Sequence, residues 1–539
     1  MDLTPINYII YILISLGNSV LLCLLGYKFF HILQLSDYKL IGFVEWVKDT
    51  KARYFGRVIS LSFLSFICAI VTNACFITYS YYVAFIGLIP YIILTIIFRI
   101  NVINAKMKTP LKSTHRLARL VGVLFVLSFF VSFGLIMLSR ILPDILFICI
   151  LTLSPLLLVL LVLFAHIILM PYERLVEIKF MKRAKKKLAK YPYLIKIGIT
   201  GSYGKTTTKY ILNSILSKKY NVCMSPHSFN TSMGLCKVVD KYLEPYHEVM
   251  IAEMGASETG DINYLCKFIK PSMGIITGIS NQHLRTFFSM NNIKNTKYEL
   301  VKNVEKQDNA FMVFNGTNEI VEEFYTKCKC DKNIIGTKKD CDIVFSNVKL
   351  SLTGTTFDIT YNKNTYTVKT NLIGQGVVQD ICMAMCIALR LEMQIEDIID
   401  AIKDIKQISH RLEVKNENDY TILDDSYNSN TFGYKQALEM LSITKGKKII
   451  VTPGLVELGR AENDCNKTLG NDISKICDVC IIVNESNYNA IEQGIKENTN
   501  SKTQIIKAVN LDDAKIKLSS IIEKDSCILF ENDLPDNYL

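Results

Sequence analysis

The sequence predicts an α-helical membrane domain followed by α/β domains, and three observations carry that expectation. Five long apolar stretches crowd the first third of the 539 residues. From Lys196 onward, short apolar runs alternate with helix-length amphipathic stretches, the texture of strands and helices in turn. The two regimes meet at a basic run, residues 179–190, just ahead of the glycine-containing stretch IGITGSYGKTTT at 197–208. Half of all residues are hydrophobic, so an excess confined to one region separates the domains.

The apolar stretches cover about residues 6–32, 58–79, 81–98, 120–138 and 141–170. Each approaches or exceeds the roughly 20 helical residues that cross a bilayer core. They lack the polar face that a water-soluble helix needs. The first has neither a charged leader nor a small-residue cleavage site, so it does not read as a removable signal. Lys39, Lys48, Lys51, Arg53 and Arg57 precede the second stretch, and Lys106, Lys108, Lys112 and Arg116 precede the fourth. By the positive-inside rule both basic loops are cytoplasmic. The expected topology is a multi-pass protein of the plasma membrane, with its N-terminus outside and everything after Met170 in the cytoplasm. Lys182, Arg183, Lys185, Lys186 and Lys187 would then lie at the anionic inner leaflet. The net charge of +11 comes partly from these flanking loops, which fits topological anchors and argues against a nucleic-acid partner. The expected domains are a transmembrane region of about five helices at 1–175, a basic juxtamembrane linker at 176–195, a central domain at 196–408 and a C-terminal domain at 409–539.

In the second part, strands are expected at 195–199, 249–254, 273–279, 310–314, 448–452, 479–483 and 527–530. Their alternation with helices favours a parallel, doubly wound sheet. Residues 342–370 alternate like a hairpin region and predict a small antiparallel insert. The 16 cysteines show no framework spacing, so reduced thiols are expected. Cys328, Cys330 and Cys341 lack a fourth zinc ligand at suitable spacing.

The stretch at 197–208 carries the chemistry. A strand that turns through Gly201 and Gly204 into Lys205 and three threonines builds a nest of backbone N–H groups at a helix N-terminus, where phosphate is stabilised. The common phosphate loop leaves four residues between its first glycine and the Gly-Lys-Ser/Thr end, and Gly198 misses that spacing by one residue. Glu253 ends the apolar strand 249–252, at the sheet edge where open α/β folds bind ligands, and could hold magnesium together with Thr206. His283 follows another strand end, and Lys297 lies on a predicted helix.

The ordered blocks TGSYGKTTT, FNTSMGL (229–235), EMGA, ITGISNQHL, KYEL, FNGTNE (314–319), HRLE and LDDSYNSN (423–430) resemble the Mur ligase family. Within it the pattern is most similar to the branch that adds D-alanyl-D-alanine to a muramoyl tripeptide. The resemblance implies a central ATP-binding domain with a parallel doubly wound sheet and small antiparallel insert, then a Rossmann-like C-terminal α/β domain. It also implies ATP and two magnesium ions as cofactors. Gly201, Ser202, Tyr203, Gly204, Lys205, Thr206 and Thr207 would cradle the phosphates. Thr206 and Glu253 would hold the first ion, and His283 with a carbamylated Lys297 the second. Asn315 would face adenine, Arg411 the phosphates and Asp425 the ribose. Asn230, Thr231, Tyr427, Asn428 and Asn430 would face the acceptor or the amine. Lys205, His283, Lys297 and Arg411 form the expected catalytic set.

This sequence departs from the family pattern at four places. Gly278 and Tyr203 each stand where asparagine is usual, Thr431 replaces a proline, and GQGVV at 374–378 lacks the usual His-Asn. Apolar spans occupy the place of the domain that grips uridine diphosphate. The expected function is a membrane-tethered ATP-dependent amide ligase of wall-precursor synthesis. It would activate a carboxylate as an acyl phosphate and join it to an amino acid or dipeptide, with D-alanyl-D-alanine addition to a muramoyl tripeptide as the named guess. A lipid-linked acceptor is the variant reading, and a transporter or sensor driven by a cytoplasmic ATPase domain is the competing class.

Overall fold

The computed structural model describes residues 5–49, 53–76, 86, 88–104, 110–141, 149–226, 228–282, 284–417, 419–427, 429–483 and 485–532. The chain divides between Ile178 and Lys179 into two compact units.

The first unit is helical: α1 Pro5–Leu25, α2 Tyr27–Leu35, α3 Leu40–Asp49, α4 Arg53–Phe76, α5 Ile89–Asn104, α6 His115–Ser139, a 3-10 segment Cys149–Leu157 and α7 Leu158–Leu188. Among the described residues four segments are long and apolar enough to cross a membrane: Tyr8–Leu25, Gly56–Ala74, His115–Ser139 and Cys149–Leu188. The expected third span at 81–98 is shorter than the sequence suggested. Its helix begins only at Ile89, with Pro90 in the first turn, where a missing N–H costs nothing, and residues 81–85 lie outside those described. The expected first span is divided at Gly26. Leu13, Phe63, Phe130 and Phe164 point outward and are more than half exposed, an arrangement that water disfavours. Inside the unit, the Asn18 amide donates to the Ser132 and Ser154 hydroxyls at 2.8 and 3.0 Å and accepts from the Tyr91 phenol at 2.9 Å. One buried carboxamide thus ties α1, α5, α6 and the 3-10 segment, with both its donors and one lone pair of its oxygen in use.

The second unit starts within α7. The expected basic linker is helical as far as Leu188, because Met181, Ala184 and Leu188 recur at helical spacing and are buried while the intervening lysines turn outward. The elements that follow are β1 Ile195–Thr200, α8 Lys205–Leu216, β2 Val222–Met224, α9 Ser232–Lys241, β3 Val249–Glu253, α10 Asp261–Ile269, β4 Met273–Ile276, α11 Leu284–Phe287, α12 Met290–Val304, β5 Phe311–Asn315, α13 Glu319–Lys327 and β6 Asp331–Gly336. A hairpin region β7 Ile343–Ser351, β8 Gly354–Tyr361 and β9 Asn364–Thr370 leads to α14 Gln375–Arg390 and α15 Ile395–Lys403. Nine strands pair in the order β2-β3-β1-β4-β5-β6-β7-β8-β9. Pairing is parallel as far as β7 and antiparallel through β8 and β9, so the expected insert extends the main sheet.

A second sheet comprises β10 Glu413–Asn416, β11 Tyr420–Asp425, β12 Lys448–Thr452, β13 Val479–Val483, β14 Gln504–Ala508 and β15 Ser526–Glu531. Its order is β10-β11-β15-β12-β13-β14, parallel except for β10. Its helices are α16 Gly433–Ser442, α17 Glu462–Ser474, α18 Tyr488–Glu497 and α19 Leu511–Ser519. The strands missed from sequence, β2, β6, β10, β11 and β14, are short or rich in polar residues, so they show little apolar contrast. The described cysteines are all free thiols.

Candidate active site

β1 lies between β3 and β4, which leave it on opposite sides, so the loop after β1 opens at a topological switch point. The register places Ile199 beside Glu253 and Thr200 beside Ile276. The ends of three strands therefore converge on residues 201–204.

Gly204 has φ +75°, the left-handed conformation that lets the chain turn directly into α8. No side chain caps that helix, so the N–H groups of Lys205, Thr206 and Thr207 in its first turn are offered to a ligand. Ser202 anchors the loop: its N–H donates to the Gly278 carbonyl at 2.6 Å, and its hydroxyl accepts from Ser280 N–H at 3.1 Å. The Lys205 ammonium donates to the carbonyls of Gly201 at 2.8 Å and Ser202 at 3.2 Å, folded over its own loop. Burial lowers its pKa to about 8, with Glu253 opposing and Arg411 adding to the shift.

Glu253 is the electrostatic centre. The Thr206 hydroxyl is 3.2 Å from both carboxylate oxygens, Asn230 donates to Oε1 at 3.1 Å, and the Lys209 ammonium donates to Oε2 at 2.9 Å. Lys209 and Glu253 are both almost fully buried. Burial alone would push the Glu253 carboxyl up, yet Lys209 and Lys205 outweigh it and hold the pKa below the usual value. A carboxylate, a hydroxyl and room for water form the hard-oxygen donor set that suits magnesium. Lys209 was not singled out from sequence. Its signal is the spacing, since it lies one turn after Lys205 in α8.

Lys297 is buried on α12, and desolvation, with Lys205 nearby, lowers its pKa to about 7. A lysine in that state is partly a neutral amine near pH 7, as carbamylation requires. His283 and Asn428 lie outside the described residues.

The second sheet brings Arg411 to the loop. Its guanidinium reaches the Thr206 hydroxyl at 3.5 Å and lies 4.2 Å over the Tyr427 ring, and the Tyr427 phenol hydrogen-bonds Ser228. Asp425 ends β11 and accepts from Leu412 N–H at 3.1 Å, with its pKa pushed up to about 6 by burial against the pull of Arg411.

Several expected ligand contacts are spent on the protein itself. The Asn315 amide donates to Thr277 O at 2.8 Å and Gln379 at 2.9 Å, and its oxygen accepts from the Thr317 N–H and hydroxyl, which leaves no free group for adenine. Asn230 turns to Glu253 in place of an acceptor. Thr231 caps α9 through Gly234 N–H, and the Asn430 oxygen accepts from the N–H groups of Phe432 and Gly433 at the start of α16. These residues shape the walls because each polar atom near a helix or strand end takes a local partner first.

The class follows from comparison at this point: residues 199–388 match the Mur ligase middle domain. The named relatives are more particular. The UDP-N-acetylmuramoyl-tripeptide--D-alanyl-D-alanine ligase of Bacillus subtilis is 28% identical over 281 residues, covering 52% of this chain and 60% of the relative. The structure of MurF ligase from Thermotoga maritima in complex with ADP is 25% identical, with a TM-score of 0.59 over 66% of this chain and 80% of that one. MurF from Acinetobacter baumannii shares the fold at 22% identity, with a TM-score of 0.61 over 66% of this chain and 77% of that one. The chain spans about three fifths of the length of the curated relatives it matches.

Proposed function

We propose that this chain is an ATP-dependent amide ligase of wall-precursor synthesis, tethered to the plasma membrane by its apolar helices. The observation that carries the reading is the meeting of Lys205, Thr206 and Glu253 from the first sheet with Arg411 from the second around one phosphate loop. A relative solved with ADP supports the choice of nucleotide.

In this reading the N–H groups of the first turn of α8 and Lys205 take the β and γ phosphates, and Arg411 grips phosphate oxygens with its planar fork. Magnesium on Thr206 and Glu253 would supply neutralisation of phosphate charge. Lys209 and Asn230 hold the Glu253 carboxylate in place and ionised. The γ-phosphoryl passes to a substrate carboxylate, ADP leaves, and the resulting acyl phosphate is attacked by an amine with loss of phosphate. Such transfers need positioning and charge stabilisation more than covalent help from the protein. Lys297 and His283 would serve a second ion or the acyl phosphate, and Asp425 the ribose. Tyr427, beside Arg411 and Ser228, would face the acceptor. The amine is best read as D-alanyl-D-alanine and the acceptor as a muramoyl tripeptide, after the named relatives. The self-satisfied Asn18 network, with no charged member, suits an anchor better than a transport path.

Purified protein in detergent, given ATP, magnesium and candidate acceptor and amine pairs, should form ADP and phosphate only when a matching pair is present. No ADP with any pair would sink the ligase reading.

A further inference from the structure

Asp380 lies on α14 within the apolar run VVQDICMAM, is 7% exposed, and belongs to none of the motifs above. It reaches the phosphate loop from beneath. The Thr208 hydroxyl, in the second turn of α8, donates to its Oδ1 at 2.9 Å. A Cβ built on Gly204 would stand 2.8 Å from the same oxygen, so the carboxyl rests against the residue that starts the phosphate-facing helix.

Among the described residues, nothing in contact neutralises it. Arg411, from the segment before β10, acts on it only at a distance, and the Tyr203 phenol, bonded to Asn318, feels its charge only at a distance as well. On α8, Lys205 is turned to the loop carbonyls and Lys209 to Glu253. From β5 comes the neutral Asn315, bonded to Gln379. The buried side chains of α15 and β7 that share the core with α14 are apolar, β8 adds only the neutral Thr355 to its apolar ones, and β6 meets α14 at its far end, where Arg390 pairs with Asp331 at 3.0 Å. A buried carboxyl held by one hydroxyl, with no cation beside it among the described residues, is at home as a neutral acid. Its burial indeed pushes the pKa up to about 8. If ionised, it would set a negative charge against the helix end that offers its N–H groups to phosphate.

We propose that Asp380 is part of the phosphate-binding wall, a protonated carboxyl that must stay neutral for the phosphates of a nucleotide to occupy the loop. The proposal rests on the nucleotide-site reading and adds to it a binding residue and a proton dependence.

Full-length protein in detergent, titrated calorimetrically with ADP in the absence of metal, tests it through the pair wild type and Asp380→Asn from about pH 6.5 to about pH 9. The amide keeps the shape and cannot ionise. The advantage of Asp380→Asn over wild type should grow roughly tenfold across that range, the size of a one-unit coupling between the carboxyl proton and the ligand. Deprotonation of Lys205 weakens both proteins alike and cancels in the ratio. Asp380→Ser, smaller and neutral, should show the same growing ratio and serves if the amide packs badly. A ratio that stays constant while ADP binds overturns the proposal and leaves the nucleotide reading intact. Absence of ADP binding in every form at every pH overturns both.

Discussion

The ring of Tyr203 occupies the space over Gly278: a Cβ at that glycine would lie 2.2 Å from the tyrosine Cζ. The same ring stacks on Phe432 at 4.3 Å between centroids and 21° between planes, and its hydroxyl accepts from Asn318 at 3.3 Å. Tyr203 and Gly278 therefore form one steric unit, in which a large residue on the loop requires an absent side chain on the next strand end.

Gly278→Asn alone should displace the ring and cost about 1–3 kcal/mol in chemical denaturation, the usual scale for overpacking. Tyr203→Asn added to it should recover most of that loss, apart from about 0.5–1.5 kcal/mol for the lost stack on Phe432. A double-mutant cycle reads the coupling, and strictly additive effects would show that the two positions are independent.

Lys209→Met leaves the Glu253 carboxylate buried without its cation. We expect a loss of about 3–5 kcal/mol, the range for breaking a buried pair from one side. The denaturant midpoint checks this, and exposed pairs such as Lys218 with Asp404 provide the contrast, with little change on removal.

Glu253→Gln removes the anionic member of the proposed magnesium pair. Magnesium should then no longer tighten ADP binding, whereas wild type should gain affinity on adding the ion. Calorimetric titration with and without magnesium decides it, and an unchanged magnesium effect would move the ion elsewhere.

Lys297 carries a pH signature. Its folded pKa of about 7 lies below the ordinary lysine value of 10.5, so between those values the unfolded chain holds a proton that the folded chain has released. Stability therefore rises with pH across that window, by up to about 1.4 kcal/mol per unit, and the cost of charging the buried amine is fully present below about pH 7. Lys297→Met should flatten that rise in unfolding free energies measured from about pH 7 to pH 10. An unchanged slope would show that the amine is not buried as described.

Asn18→Ala should leave the Tyr91 phenol and two serine hydroxyls short of a partner inside apolar surroundings. Thermal unfolding in detergent should show a loss of about 1–2 kcal/mol, on the scale of hydrogen bonds between helices in such settings.

The parts of the fold legible in sequence were those with strong contrast. β12 and β13 fall where their apolar runs lie, and Gly201, Gly204 and Lys205 mark the turn into α8. β14 and β10 were not, because QIIKA and EVKN show little alternation and owe their pairing to neighbours distant in sequence. Asn315 and Asn430 carry no sequence signal that separates a ligand contact from a local cap, because asparagine serves both equally well. Only the positions of Thr277, Gln379 and the start of α16 show which protein partners they hold.

By itself the sequence determined the local chemistry: apolar helices of membrane length, alternating strands and helices, and a glycine turn feeding a lysine into a helix start. These follow from hydrophobic periodicity and backbone sterics, which act over a few residues. The tertiary structure alone decided which charges face one another. Lys209 meets Glu253 across 44 positions and Asp380 meets Thr208 across 172. Arg411 reaches Thr206 across 205. Burial at those meetings sets whether each group carries its charge, because desolvation depends on the whole packed environment and leaves no mark in a run of neighbouring residues.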